Sequence, residues 1–192
     1  MPRLTAWPSV FLSLAVLCAA PQTSKQDRSW KPYTNLQWGY CVSYPSRWLK
    51  GDAFDGAGIF VETGLKRFSK PLGEIDIGVL PADLTAAQAL PIKLTDDLET
   101  HFDGLKKFER AESIEILEKR ELQILGSPAL FTKDRYYDPQ DRATWVEEII
   151  FTRHKGALYR LELECRNDQL ERFEPVFQTF VGTFRFDCAV AQ

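Results

Sequence analysis

The clearest pattern along the chain is strict alternation. Tyr159, Leu161, Leu163 and Cys165 share one side of residues 157–165, with Arg160, Glu162 and Glu164 on the other. Such a period of two predicts a half-buried strand with Cys165 on its apolar face. Residues 144–152 alternate too, with Trp145, Glu147, Ile149 and Phe151 set against Val146, Glu148 and Ile150. Further strands are predicted over 39–44, 59–63, 72–80, 113–117 continuing toward 124, and 129–137. Turns fall at Asp55-Gly56, Gly126-Ser127-Pro128, Asp138-Pro139 and His154-Lys155-Gly156. The strands over 39–44 and 59–63 are expected to pair as a hairpin with an extended connection.

Elsewhere the period is helical. Ala87, Leu90, Leu94, Leu98, Phe102, Leu105 and Phe108 form one stripe, preceded by Thr85 and Gln88 in capping-box spacing. Pro91 is expected to kink this stretch or to divide it into a short lead-in and a main helix over 92–108. A second stripe, Leu170, Phe173, Phe177, Phe180 and Phe184, predicts a closing helix capped by Asp168, with a kink or restart at Pro175. Residues 184–188 add a short terminal strand. The expected fold class is α+β. The architecture is an α/β/α sandwich with a mostly antiparallel sheet of about seven strands and two main helices.

The first 20 residues differ from the rest. Arg3 precedes an apolar run over 10–20, and Pro21 opens a polar stretch. This is the pattern of a secretory signal, and the run is too short to span a bilayer. Residues 1–20 are therefore read as a signal peptide, 21–37 as a polar linker and 38–188 as one globular domain. Trp30 and Tyr33 are unusual in a linker and are expected to dock on the domain or on a partner. Two processing outcomes are open: lipidation at Cys18, or cleavage near Ala19 or Ala20. Leu17 is bulkier than the small residue a lipidation signal places there. The expected location is the periplasm or the cell exterior, lipid-anchored in the envelope if Cys18 is acylated.

Cys41, Cys165 and Cys188 remain in the domain. An oxidising compartment implies one pair and one spare thiol. A bond between Cys165 and Cys188 is worth roughly 3.5 kcal/mol by loop entropy, and one from Cys41 to either roughly 5 kcal/mol. Loop entropy does not choose the pairing, and three unpaired buried thiols are the alternative.

Composition narrows the function. A net charge of −3 offers no basic field for nucleic acid or an anionic membrane. The two histidines, His101 and His154, have no partner at metal-ligand spacing, and no phosphate loop, nucleophile elbow or dinucleotide fingerprint occurs. No cofactor or metal is expected. Asp134, Asp138 and Asp141 gather around one turn, and Glu147, Glu148, Glu162 and Glu164 lie on two adjacent strands. Interleaved Arg135, Arg142, Arg153 and Arg160 make these read as cross-strand ion pairs on a solvated face. Tyr136, Tyr137 and Trp145 form a candidate partner surface, with Trp145 packed under a helix as the alternative.

Trp38-Gly39-Tyr40-Cys41-Val42-Ser43-Tyr44-Pro45-Ser46-Arg47-Trp48 resembles the opening of PsbP-like domains, an aromatic strand ending in Tyr-Pro and followed by Trp. Phe177-Gln178-Thr179-Phe180-Val181-Gly182-Thr183-Phe184 is similar to the closing helix of that family. The resemblance implies an α/β/α sandwich that binds proteins rather than catalyses. The expected function is an exported, non-enzymatic accessory factor for a protein or envelope component. One alternative is a hydrolase or small-ligand enzyme using the carboxylates near the Asp138 turn. Another is a purely structural envelope protein.

Overall fold

A computed structural model describes residues 29–52, 59–62, 72–80 and 93–188. The signal segment, Cys18, the Asp55-Gly56 turn, the Thr85 capping box and Pro91 lie outside the described residues. In chain order the elements are β1 (Trp30–Asn35), β2 (Tyr40–Pro45), β3 (Leu49–Asp52), β4 (Ile59–Glu62), β5 (Gly73–Leu80), α1 (Leu94–Gly104), a π-helical turn (Leu105–Glu109), β6 (Glu112–Ile124), β7 (Ser127–Asp138), β8 (Ala143–His154), β9 (Ala157–Arg166), α2 (Leu170–Thr183) and β10 (Arg185–Phe186).

The strands form two sheets, which corrects the expectation of a single one. Seven strands make an antiparallel sheet in the order β3-β4-β5-β9-β8-β7-β6, and β1-β2-β10 make a second. The expected hairpin between 39–44 and 59–63 is likewise replaced, because β4 pairs with β3 and β5. Pro45 and the turn closed by Trp48 N–H donating to Pro45 C=O end β2 and start the chain on a new strand. Residues 30–35, read as linker, are a strand paired along the whole of β2. Its Trp30 and Tyr33 pack against the core, so they dock on the domain itself. Pro32 is tolerated because β1 is an edge strand.

The alternating strands give the large sheet two unlike faces. On one, Ile75, Ile77, Val79, Leu161 and Leu163 meet the Phe173, Phe177 and Phe180 stripe of α2, with Tyr40 and Val42 of the small sheet. On the other, α1 sets Leu98 against Leu130, Ile149 and Phe151. One helix therefore covers each face.

Both helices depart in detail from the expected pattern. In the π-helical turn each residue advances the chain through a smaller angle, so the stripe loses phase. Leu105 stays buried while Phe108 is 73% exposed. The second helix starts after a 3₁₀ turn with no side-chain cap from Asp168, and it continues through Pro175 as one helix. Pro175 lies on the exposed side, where water can satisfy the carbonyl that lacks its N–H partner.

Gly73 marks the tightest contact between sheet and helix. A Cβ there would lie 2.8 Å from the Phe173 ring and 2.9 Å from Cys165 Cβ. Gly73→Ala is expected to cost about 1–3 kcal/mol by overpacking. Urea unfolding followed by tryptophan fluorescence measures it, and an unchanged midpoint would refute the contact.

Candidate functional site

Register assembles the site. Asp134 of β7 lies opposite Glu147 of β8, which lies opposite Glu164 of β9, which lies opposite Glu74 of β5. The next row on the same face brings Glu162 beside Asp76. Six carboxyl groups thus share one patch of the sheet under α1. The expected solvated face is corrected: Asp134, Glu147 and Glu162 are buried, with Asp134 at 0% exposure. Alternation put the acids on one face, and a helix then covered that face.

Two contacts fix α1 over the patch. Arg153 Nη2 donates to both Asp97 oxygens at 2.9 and 3.0 Å. One helical turn later, His101 projects into the acids. Its Nε2 lies 2.9 Å from Glu147 Oε2, and its Nδ1 lies 3.4 Å from Arg160 Nη1. The guanidinium can only donate, so Nδ1 accepts and the proton sits on Nε2, facing Glu147. Arg160 also reaches Asp76 at 3.2 Å and Glu162 at 2.8 Å. Tyr136 O–H donates to Glu164 at 2.5 Å.

Among the described residues this arrangement has more acids than bases. Asp134 is hydrogen-bonded to the neighbouring Glu147 carboxyl. Burial, countered in part by Glu147, pushes Asp134 up to about 7. Burial and then the charges of Glu162 and Asp134 hold Glu147 well above the carboxylate range. Burial raises Asp76 to about 6 against the pull of Arg160. Burial lowers His101, which keeps the ring neutral. The network opens to a groove of about 530 Å³ lined by Asp76, His101, Phe108, Arg160, Glu162 and Glu164, among others. His101, Glu147 and Glu162 each present a ligand atom within 4.8 Å of the others.

The remaining candidates are dispersed. Asp138 closes its own turn, accepting from the N–H groups of Gln140 at 2.7 Å and Asp141 at 3.2 Å. Asp141 and Arg142 are exposed on that turn, so the Asp138 turn does not gather convergent carboxylates. Arg135 pairs with Glu115. Glu148 faces the opposite side and pairs with Lys133 at 2.8 Å. Tyr136 and Trp145 are buried with Leu105, Ala111 and Ala143, which corrects the proposed aromatic surface. Only Tyr137 of the three is exposed. His154 stacks on Phe186 with ring centroids 4.2 Å apart.

Cys41 and Cys188 form a disulfide, and Cys165 is a buried free thiol. Burial pushes the Cys165 thiol up to about 12, so it is not a reactive nucleophile. The sequence signal for the site was the run of acids on one face of β9. His101 carried no such signal, because its partners lie 46 and 59 positions away. No helix among the described residues is long and apolar enough to cross a membrane.

No protein-family model and no curated protein sequence matches the chain. Solved structures do. The cyanobacterial PsbP protein (CyanoP) of Synechocystis sp. PCC 6803 superposes with a TM-score of 0.56 at 16% identity, covering 82% of this chain and 92% of its own. A protein of Bacteroides thetaiotaomicron VPI-5482 gives a TM-score of 0.53 at 8% identity, covering 85% of this chain and 50% of its own. LpqN of Mycobacterium tuberculosis, described as involved in cell envelope biogenesis, gives 0.49 at 13% identity, covering 83% and 91%. The order of strands and helices expected from the Tyr-Pro strand and the closing Phe helix is thus matched in three dimensions by CyanoP, and the chain has the PsbP-like fold.

Proposed function

We propose that the chain is an exported, non-enzymatic accessory domain that binds a protein or envelope component through the groove beneath α1. The Cys41–Cys188 disulfide in a PsbP-like domain carries this reading. Structural disulfides persist in oxidising compartments, and the sequence before residue 21 has the form of an export signal. The groove supplies a binding centre with an acidic floor and an exposed aromatic, Phe108, at its rim.

The test has two parts. Intact mass of the protein recovered from cells is expected to lack the signal segment and to rise by two hydrogens on reduction. A retained N-terminus or a fully reduced chain would count against export. Crosslinking in cells is expected to enrich one envelope component with the wild-type chain, and to lose it when Phe108 is changed to Asp. Equal recovery by both would remove the groove from the reading.

One observation favours a second reading, a hydrolase or small-ligand enzyme. Asp134 and Glu147 are convergent and buried, with Asp134 raised to about 7 and Glu147 raised well above the carboxylate range, the kind of perturbation found in general acids and bases. Soaking crystals with small-ligand mixtures discriminates: density for a ligand contacting Glu147 supports it, and an unchanged groove argues against it.

A further inference from the structure

We infer that the inner end of the groove is a binding site for one divalent first-row transition ion of the zinc class, held by His101 Nε2 and by carboxylate oxygens of Glu147 and Glu162. The inference rests on the groove being a binding centre, and it names the ligand at its floor. Three independent observations meet there. The three ligand atoms lie within 4.8 Å of one another, with Nε2 and Glu147 Oε2 already at 2.9 Å. Small side-chain rotations bring such atoms to the roughly 3.4 Å separation of tetrahedral ligands with bonds near 2.1 Å. The Asp134 carboxyl, 0% exposed, lies opposite Glu147 and is hydrogen-bonded to it from behind. It is placed as the outer partner that a metal-bound carboxyl group ordinarily has. The groove, finally, reaches both His101 and Glu162 and leaves room for water at a fourth position.

Charge points the same way. Among the described residues, Arg160 pairs with Asp76 and Glu162 at the edge of the patch. A divalent ion places positive charge between Glu147 and Glu162, whose ligand oxygens lie within 4.8 Å of each other. The imidazole selects against calcium, which takes six to eight oxygens, and favours zinc among common ions. On binding, Glu147 releases its proton to water and ligates as the carboxylate, while the ring proton moves from Nε2 to Nδ1, so the imidazole stays neutral. Arg160 then gives up its contact with Nδ1 and retains Asp76 and Glu162.

Zinc alone is the probe. Equilibrium dialysis of the untagged full-length chain is expected to give one Zn²⁺ per chain, with a rise in melting temperature that saturates at the same stoichiometry. His101→Gln and Glu162→Gln are each expected to weaken binding by about tenfold or more while the far-UV spectrum is unchanged. No zinc bound, or affinity unaltered in both variants, overturns the site. Should a variant fail to fold, X-ray absorption at the zinc edge of the wild-type complex decides. One imidazole with oxygen ligands supports the assignment, and sulfur ligation by cysteine overturns it. Loss of the zinc result with crosslinked partner capture intact removes the metal and leaves the accessory reading standing. Zinc binding without partner capture does the reverse.

Discussion

Reducing the Cys41–Cys188 bond is expected to lower the unfolding free energy by roughly 2–5 kcal/mol. The bond joins residues 147 apart in sequence, so it removes a large share of the unfolded chain's freedom. It also holds a weak element. β10 has two residues and pairs with β2 only at Cys41 and Tyr40. Phe186 of β10 packs edge-on against Tyr159 and Phe184, and Phe184 stacks on Tyr40. Releasing Cys188 therefore frees the tail that closes one end of the aromatic core. Urea unfolding with and without reductant, and with Cys41→Ser and Cys188→Ser combined, measures the effect. Hydrogen exchange should show β10 losing protection before the large sheet. Equal midpoints in both redox states would mean that the bond merely decorates a tail already held by Phe184. Cys165 should stay unalkylated in either state until the protein unfolds, because it is fully buried.

The second large effect is an unusual pH dependence: the protein is expected to be more stable at about pH 5 than at about pH 7.5. Most domains lose stability on acidification because their carboxylates are paired. Here Asp134 is raised to about 7 and Asp76 to about 6, and burial holds Glu147 well above the carboxylate range. Glu148 and Asp97 are raised as well, chiefly by burial. A carboxyl group of this kind keeps its proton in the folded state where the unfolded chain has lost it. Unfolding then releases a proton, and rising pH favours it. The gain is complete below the ordinary carboxylate range, and it is lost as pH climbs through about 6 for Asp76 and about 7 for Asp134. His101 works in the opposite direction. It is held neutral in the fold, so stability falls as pH drops below the ordinary imidazole value. Several carboxyl groups outweigh one imidazole. Each pH unit by which one group is displaced is worth about 1.4 kcal/mol, so a net gain of a few kcal/mol is expected. Denaturant titrations across this range test the sign. Glu147→Gln should flatten the profile and raise stability at neutral pH, since it removes a buried ionisable group without changing shape. A steady loss of stability toward acid would show that the patch is ionised and paired.

Legibility followed the range of the interactions. The hairpin order of β7, β8 and β9 was readable because each strand carries its own period-two pattern and short turns join them. The α2 stripe was readable for the same local reason, and Phe173, Phe177, Phe180 and Phe184 are all buried. β1 was not readable, because Lys31, Pro32 and Thr34 make a polar edge strand whose pairing is supplied entirely by β2. The main-helix stripe failed at Phe108, where a π-helical turn changes the period that sequence reasoning assumes.

The candidate site shows the same division. Sequence alone determined that Glu162 and Glu164 share a face with Arg160, because side chains alternate across a strand whatever surrounds it. It also determined that three cysteines in the domain cannot all pair with one another, so at least one is left over. Whether the acidic face meets water or a helix, whether His101 reaches Glu147, and which cysteine Cys41 finds were decided only by tertiary structure. Each of those depends on segments distant in sequence coming together, and no local period encodes that. An acid on a solvated sheet and an acid beneath α1 are written with the same residue. The helix that covers it turns a surface ion pair into a buried, proton-holding patch.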